Sequence, residues 1–212
     1  MIQDLFDLSH TMAGGYLAGF TYPWEALAGI EQEILRLGEH LGEDFLRVQE
    51  NVWIHKTAII APTAYIQGPC IIGADTEVRQ CAFIRGSALV GEGCVVGNST
   101  ELKNVILFDR VQVPHYNYVG DSILGYKAHM GAGSVTSNVK ADKLPVVCNG
   151  IQTGRKKVGA FLGDRAEIGC NSVLNPGTVI GRDSNVYPLS SVRGTVPEGH
   201  IYKDKNNIVE KR

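Results

Sequence analysis

No run of 18 apolar residues occurs in this chain of 212. Nothing in it reads as a membrane-spanning helix. The N-terminus has no basic stretch leading into an apolar one, so no secretion signal is expected. A basic excess is missing too, since 20 Lys and Arg face 22 acidic residues for a net charge of −2. That leaves no electrostatic footprint for a nucleic-acid partner. Cysteine is sparse and unpatterned: Cys70, Cys81, Cys94, Cys148 and Cys170 are odd in number and include no CxxC. They read as reduced thiols, mostly packing residues of a cytoplasmic protein. What remains is a globular composition, long enough for one large domain and a small annex.

What the chain does have is a period. From Ile54, every sixth residue is apolar: Ile54, Ile60, Ile66, Ile72, Val78, Ile84, Val90, Val96, Leu102 and Phe108. A second frame runs Leu162, Ile168, Leu174, Ile180, Val186, Val192. Neither an α-helix nor a lone strand has a period of six. A parallel β-helix does, with one short strand and one corner per hexad and the aliphatic residue turned inward. Three hexads close a triangular coil, so residues 18 apart stack at roughly 4.8 Å. The expected fold is mainly β, a parallel β-helix over 51–195. A small N-terminal helical cap or linker is expected over 1–50, and a polar tail over 196–212.

Within 1–50, Tyr22-Pro23-Trp24-Glu25 looks like a helix start, because Pro suits the first turn and Glu its positive end. Leu27, Ile30, Ile34, Leu37 and Leu41 follow at helical spacing. This helix is expected against one end or edge of the coils, where a solenoid's apolar core needs a cap. From Asp109 to Asn138 the hexad frame slips, and such local failures of a strong rule mark functional regions. Residues 139–160 fit no hexad. They read as an ejected loop or hairpin turning at Asn149-Gly150.

Arg85 and Lys103 each follow an inward residue and lie 18 apart. They are expected on one face of adjacent coils, where an anion such as phosphate would relieve their repulsion. A neighbouring carboxylate such as Glu101 would also relieve it. His115 follows Pro114 where the pattern breaks, and a neutral imidazole there suits a general base. His129 is a second candidate. Gly131-Ala132-Gly133 is a small-residue corner that lets a ligand approach the backbone. A zinc site of the kind found in γ-class carbonic anhydrases would need three His ligands. His115 and His129 are 14 apart with no close pair, so no catalytic metal is expected.

The hexads resemble the left-handed β-helix of hexapeptide-repeat acyltransferases. The residues that carry a closer likeness are Arg85, Glu101-Leu102-Lys103, His115-Tyr116-Asn117-Tyr118-Val119-Gly120-Asp121 and Gly131 to Asn138. In these segments and their spacing the chain resembles the C-terminal acetyltransferase domain of the bifunctional N-acetylglucosamine-1-phosphate uridyltransferase/glucosamine-1-phosphate acetyltransferase family. The resemblance implies a cytoplasmic homotrimer with sites between subunits, using acetyl-CoA as co-substrate on the route to UDP-N-acetylglucosamine. It makes His115 the general base and Asn138 a second catalytic residue that positions the acceptor. Arg85, Lys103, Tyr118 and His129 would bind the acceptor, an amino-sugar phosphate or a nucleotide-linked amino sugar. Ala132 and Cys170 would contact the cofactor. Three departures touch the acceptor side. Asn138 is followed by Val-Lys-Ala where the family has Tyr-Asp-Gly, His129 stands where the family tends to carry Asn, and the following loop is longer. The alternative expectation is a non-catalytic regulatory β-helix that binds sugar phosphates or nucleotide sugars and is related to sugar-1-phosphate nucleotidyltransferases.

Overall fold

A computed structural model describes residues 1–211. The repeats wind into a parallel β-helix, as the period requires, of the left-handed kind that the resemblance implies. Its three flat faces are ladders of short parallel strands. One face runs from Cys70–Ile72 through Ala88–Val90 to Ala160–Leu162 and Thr178–Ile180. A second runs from Tyr65–Ile66 and Phe83–Ile84 to Val135–Thr136, Val173–Leu174 and Ser191–Val192. The longer strands Glu101–Leu107 and Tyr118–Leu124 turn the corner between these two faces and join them. The third face runs from Ile59–Ile60 past Gln112–His115 and His129–Met130 to His200–Asp204.

The register follows the 18-residue coil at first. Ile54 lies beside Ile72, and Ile72 beside Val90. Leu102 still lies beside Ile84, but Val105 lies beside Ala88, so the chain has lost one residue between them. The three-residue corner Arg85-Gly86-Ser87 has become the two-residue corner Lys103-Asn104. Leu107, not Phe108, therefore continues the inward row opposite Val90. Phe108 instead packs its ring 5.2 Å from Phe6 of the N-terminal segment. The tight corner repeats one coil later at Gly120-Asp121. Asn104 and Asp121 hold left-handed backbone there, with φ of 55° and 49°, and Asn and Asp are the non-glycine residues that tolerate it best.

The N-terminal segment lies along a face and does not cap an end. The outward row Ile71, Leu89, Ile106, Ile123, Phe161, Val179 is apolar and fully buried. Helix Ile30–Gly38 packs on this face, and the Trp24 ring lies tilted against Phe161 with centroids 6.2 Å apart. Covering such side chains stabilises the fold by about 1.5–3 kcal/mol each, which explains why the segment is drawn to the side. The helix expected from Pro23 is broken into Pro23–Ala26 and Ile30–Gly38. Tyr16 donates its hydroxyl to the Ala26 carbonyl at 2.6 Å, taking the acceptor that a continuous helix would give to Ile30. At the start itself the Glu25 carboxylate reaches back and accepts from the Tyr22 amide at 2.8 Å, satisfying a donor at the helix N-terminus.

The ejected loop is present. Ile123 pairs with Phe161 and Val135 with Val173, so one coil carries 20 extra residues beyond 18. Val147–Cys148 and Ile151–Gln152 form an antiparallel hairpin, with Asn149 and Gly150 both at positive φ. Val146, Cys148 and Val158 are buried, and the Cys148 thiol donates to the Gly177 carbonyl, so the loop folds back on its own coils. Of the tail expected over 196–212, Arg212 lies outside the described residues, and 196–211 carries strands. Within it His200–Asp204 pairs with Asn185–Val186, and Asn207–Glu210 returns as an antiparallel strand. Val196 and Tyr202 supply the apolar anchors that a polar composition hides.

Candidate active site

Two columns of corners frame the second face. In the first column, the amides of Tyr116, Gly133 and Asn171 donate to the carbonyls of Asn98, His115 and Ala132. The Leu189 amide donates in the same way to the Cys170 carbonyl. His115, Ala132 and Cys170 therefore hold the same corner position on three successive coils, roughly 4.8 Å apart. Three residues far apart in the chain become one edge of the prism.

The His115 corner is fixed from behind. Its amide donates to Asn117 Oδ1 at 3.1 Å, and buried Asn117 donates Nδ2 to the carbonyls of Gly131 at 2.9 Å and Ser134 at 3.0 Å. Among the described residues, no side chain hydrogen-bonds the exposed His115 ring. Its nitrogens are open to a ligand.

The second column carries charge. Arg85 donates to Glu101 Oε1 at 2.7 Å, and Lys103 reaches Asp121 Oδ1 at 3.2 Å. Each cation expected to hold phosphate thus has a carboxylate partner. For Arg85 it is the Glu101 already named as the competing partner. Asn138 donates Nδ2 to Asp121 Oδ2 at 2.6 Å and to the Tyr118 hydroxyl at 3.1 Å, and Asn104 Nδ2 adds a bond to Asp121 Oδ1 at 2.9 Å. The fold thus brings Lys103, Tyr118 and Asn138 together around Asp121. Burial, helped by the charges of Asp121 and Glu101, pushes the Tyr118 phenol up from its usual range, so it stays protonated at neutral pH.

Gly120 makes room for Tyr118. A Cβ at this position would collide with the Tyr118 phenol, the far end of a movable side chain. Gly120→Ala should leave the coil folded and swing Tyr118 away from Asn138. The expected result is weaker acceptor binding, about tenfold for one lost neutral hydrogen bond, with unchanged affinity for acetyl-CoA. Titrations of both ligands would check it.

His129 lies elsewhere. It is on the third face, around the His115 corner, with Nδ1 2.7 Å from Glu167 Oε2. One protomer does not bring it to Tyr118 and Lys103. Asp121 is not a candidate that the 18-residue spacing yields: the tight corner sets Gly120, not Asp121, beside Lys103, and Asp121 enters the site from the next corner position. Among the described residues, no group of three or more His, Cys, Asp or Glu is arranged to hold a metal ion.

The GMPPB C-terminal domain model matches residues 66–158. A bifunctional sugar-1-phosphate nucleotidylyltransferase/acetyltransferase of Sulfurisphaera tokodaii is 30% identical over 197 residues, 89% of this chain and 49% of that protein. A bifunctional protein GlmU of Methanococcus maripaludis is 30% identical over 206 residues, 93% of this chain and 50% of that protein. A hexapeptide transferase family protein of Anaplasma phagocytophilum has a TM-score of 0.44 at 19% identity, covering 76% of this chain and 79% of that one. The chain spans about half the length of the curated relatives it matches. The hexads and their winding, with the sequence matches to the GMPPB C-terminal domain and to about half of each bifunctional relative, support a hexapeptide-repeat acyltransferase chain resembling the GlmU C-terminal domain.

Proposed function

We propose that the protein transfers an acetyl group from acetyl-CoA to the amine of a phosphorylated or nucleotide-linked amino sugar such as glucosamine-1-phosphate. The observation that carries this reading is the placement of an imidazole, unpartnered among the described residues, at one edge of the second face and a polar cluster at its other edge. His115 begins the hexad that leads through Tyr118 to the Lys103–Asp121–Asn138 group. In this reading His115 takes the proton from the ammonium as its nitrogen attacks the thioester carbonyl. The C–N bond forms and the C–S bond breaks; the imidazolium returns its proton to the departing thiolate, so CoA leaves as the thiol, and the second amine proton goes to solvent as the amide forms. Tyr118 and Asn138 orient the acceptor, Arg85 and Lys103 take its phosphate, and the Ala132–Cys170 edge follows the cofactor. His129, standing on another face, would join the site from a neighbouring copy in a homotrimer.

A second reading is a regulatory module that binds sugar phosphate without turnover. Arg85 and Lys103, each paired with a carboxylate, are the phosphate-binding cations in both readings, so phosphate binding alone does not separate them. Thiol release from acetyl-CoA, measured across a panel of amino-sugar phosphates and nucleotide amino sugars, separates the two. Turnover with any member supports the enzyme. Saturable binding without thiol release supports the module. Light scattering checks the assembly, with about three times 23.0 kDa expected. A monomer mass would remove the intersubunit role of His129.

A further inference from the structure

The surroundings of Asn138 decide which way round its carboxamide sits. Asp121 is 3% exposed and meets three donor groups: Lys103 Nζ, Asn104 Nδ2 and Asn138 Nδ2. A carboxylate paired with an ammonium only accepts hydrogen bonds. The Asn138 NH2 must face it, and the amide oxygen must turn away. The Tyr118 contact agrees, because the same NH2 donates to the phenol oxygen at 3.1 Å. That bond fills one lone pair of Tyr118 and leaves its O–H free to donate. Among the described residues, no donor reaches Asn138 Oδ1, and this atom is not sealed from solvent.

We infer that Asp121 is a positioning residue of the acceptor site: it locks the Asn138 amide with Nδ2 inward and Oδ1 outward, so the site offers an acceptor from Asn138 beside a donor from Tyr118. For its substrate this rests on the acetyl-transfer reading. The pattern selects a ligand that carries an N–H or O–H next to an acceptor oxygen. An amino group beside a ring oxygen or hydroxyl meets both. A carboxylate or carbonyl facing Asn138 would meet the outward Oδ1 with a second acceptor and no proton between them.

Asp121→Asn tests the lock without deleting a side chain. Two donors, one of them charged, converge on the Oδ1 side. The new amide keeps its oxygen there and turns its NH2 to Asn138. Asn138 must then flip and show NH2 to the ligand. Acceptor KM should rise at least tenfold, with acetyl-CoA affinity unchanged. Asn138→Asp alone sets two carboxylates face to face and should also lose acceptor binding. Combining Asp121→Asn with Asn138→Asp reverses donor and acceptor across the contact and restores an outward oxygen. The pair should recover most of the lost acceptor KM, a non-additivity that a merely structural role would not produce.

Asparagine-labelled protein gives a readout independent of turnover. The Asn138 side-chain amide protons, assigned by their loss in Asn138→Ala, should be shifted downfield and slow to exchange, and Asp121→Asn should abolish both signs. An unprotected Asn138 amide in the wild type, or a double variant no better than Asp121→Asn, overturns the inference. Protected amide protons in a protein that releases no thiol would leave the lock standing and sink the acetyl-transfer reading alone.

Discussion

His115→Ala should lower kcat for acetyl transfer by about 10²–10⁴-fold, the usual contribution of a positioned general base, while acetyl-CoA binds as tightly as before. The amine of an amino sugar is an ammonium at neutral pH and has no lone pair to attack with. Something must take its proton in place. The His115 ring is exposed, unpartnered among the described residues and set on a corner whose backbone Asn117 pins from inside. It starts the hexad that reaches Tyr118 three residues on, roughly 10 Å of extended chain. A base at that point can serve an amine held over Tyr118 and Asn138. His115→Gln is the companion variant: it keeps a polar side chain of similar reach and cannot take a proton, so it should be nearly as slow. Asn138→Ala should cost less than His115→Ala, because Asn138 orients the acceptor and transfers no proton. Equal thiol release by wild type and His115→Ala across the acceptor panel would remove His115 from the mechanism.

The hexads disclosed the coils because inward packing forces one aliphatic residue per strand, and that demand is local and repeated. They did not disclose the corner. The lost residue at Lys103-Asn104 shifts the frame by one, and Phe108, being apolar, still satisfies a count by sixes. Only the neighbouring strand reveals that Leu107 has taken its place. The side position of the N-terminal segment was hidden for a related reason. The outward row Ile71, Leu89, Ile106, Ile123, Phe161 sits next to the inward row, so each strand reads as a plain apolar run. In the site, Arg85 and Lys103 were visible through the 18-residue spacing, while their carboxylate partners depend on side-chain reach across strands. His129 stood out as a motif position, but a motif carries no information about which face a residue occupies, and the fold sets it apart from Tyr118. Cys170 came only with the resemblance and Ala132 first as part of a small-residue corner, and the corner hydrogen bonds give both a common edge with His115.

Lys103→Ala and Arg85→Ala should each weaken binding of a phosphorylated acceptor by about 1.5–3 kcal/mol, the range for a lost charge-assisted hydrogen bond, and they should differ in what happens to the fold. Arg85 is 46% exposed and its partner Glu101 is 31% exposed. Water solvates both ions when the pair is broken, so the stability should hardly change. Lys103 is 28% exposed, but Asp121 is only 3% exposed. Removing the ammonium leaves a buried carboxylate held by the Asn104 and Asn138 amides alone. Breaking a buried pair from one side costs about 3–5 kcal/mol when nothing replaces the lost partner. The two amides soften that, so a loss near the lower end is expected for Lys103→Ala. Denaturant unfolding of the two variants beside wild type measures the contrast, and calorimetric titration with the phosphorylated acceptor measures the binding arm. Acetyl-CoA affinity should hold in both variants. A parallel fall in acetyl-CoA binding would reassign the two cations to the cofactor. Lys103→Ala as stable as Arg85→Ala would mean that Asp121 is not closed off from water, and its grip on Asn138 would weaken with it.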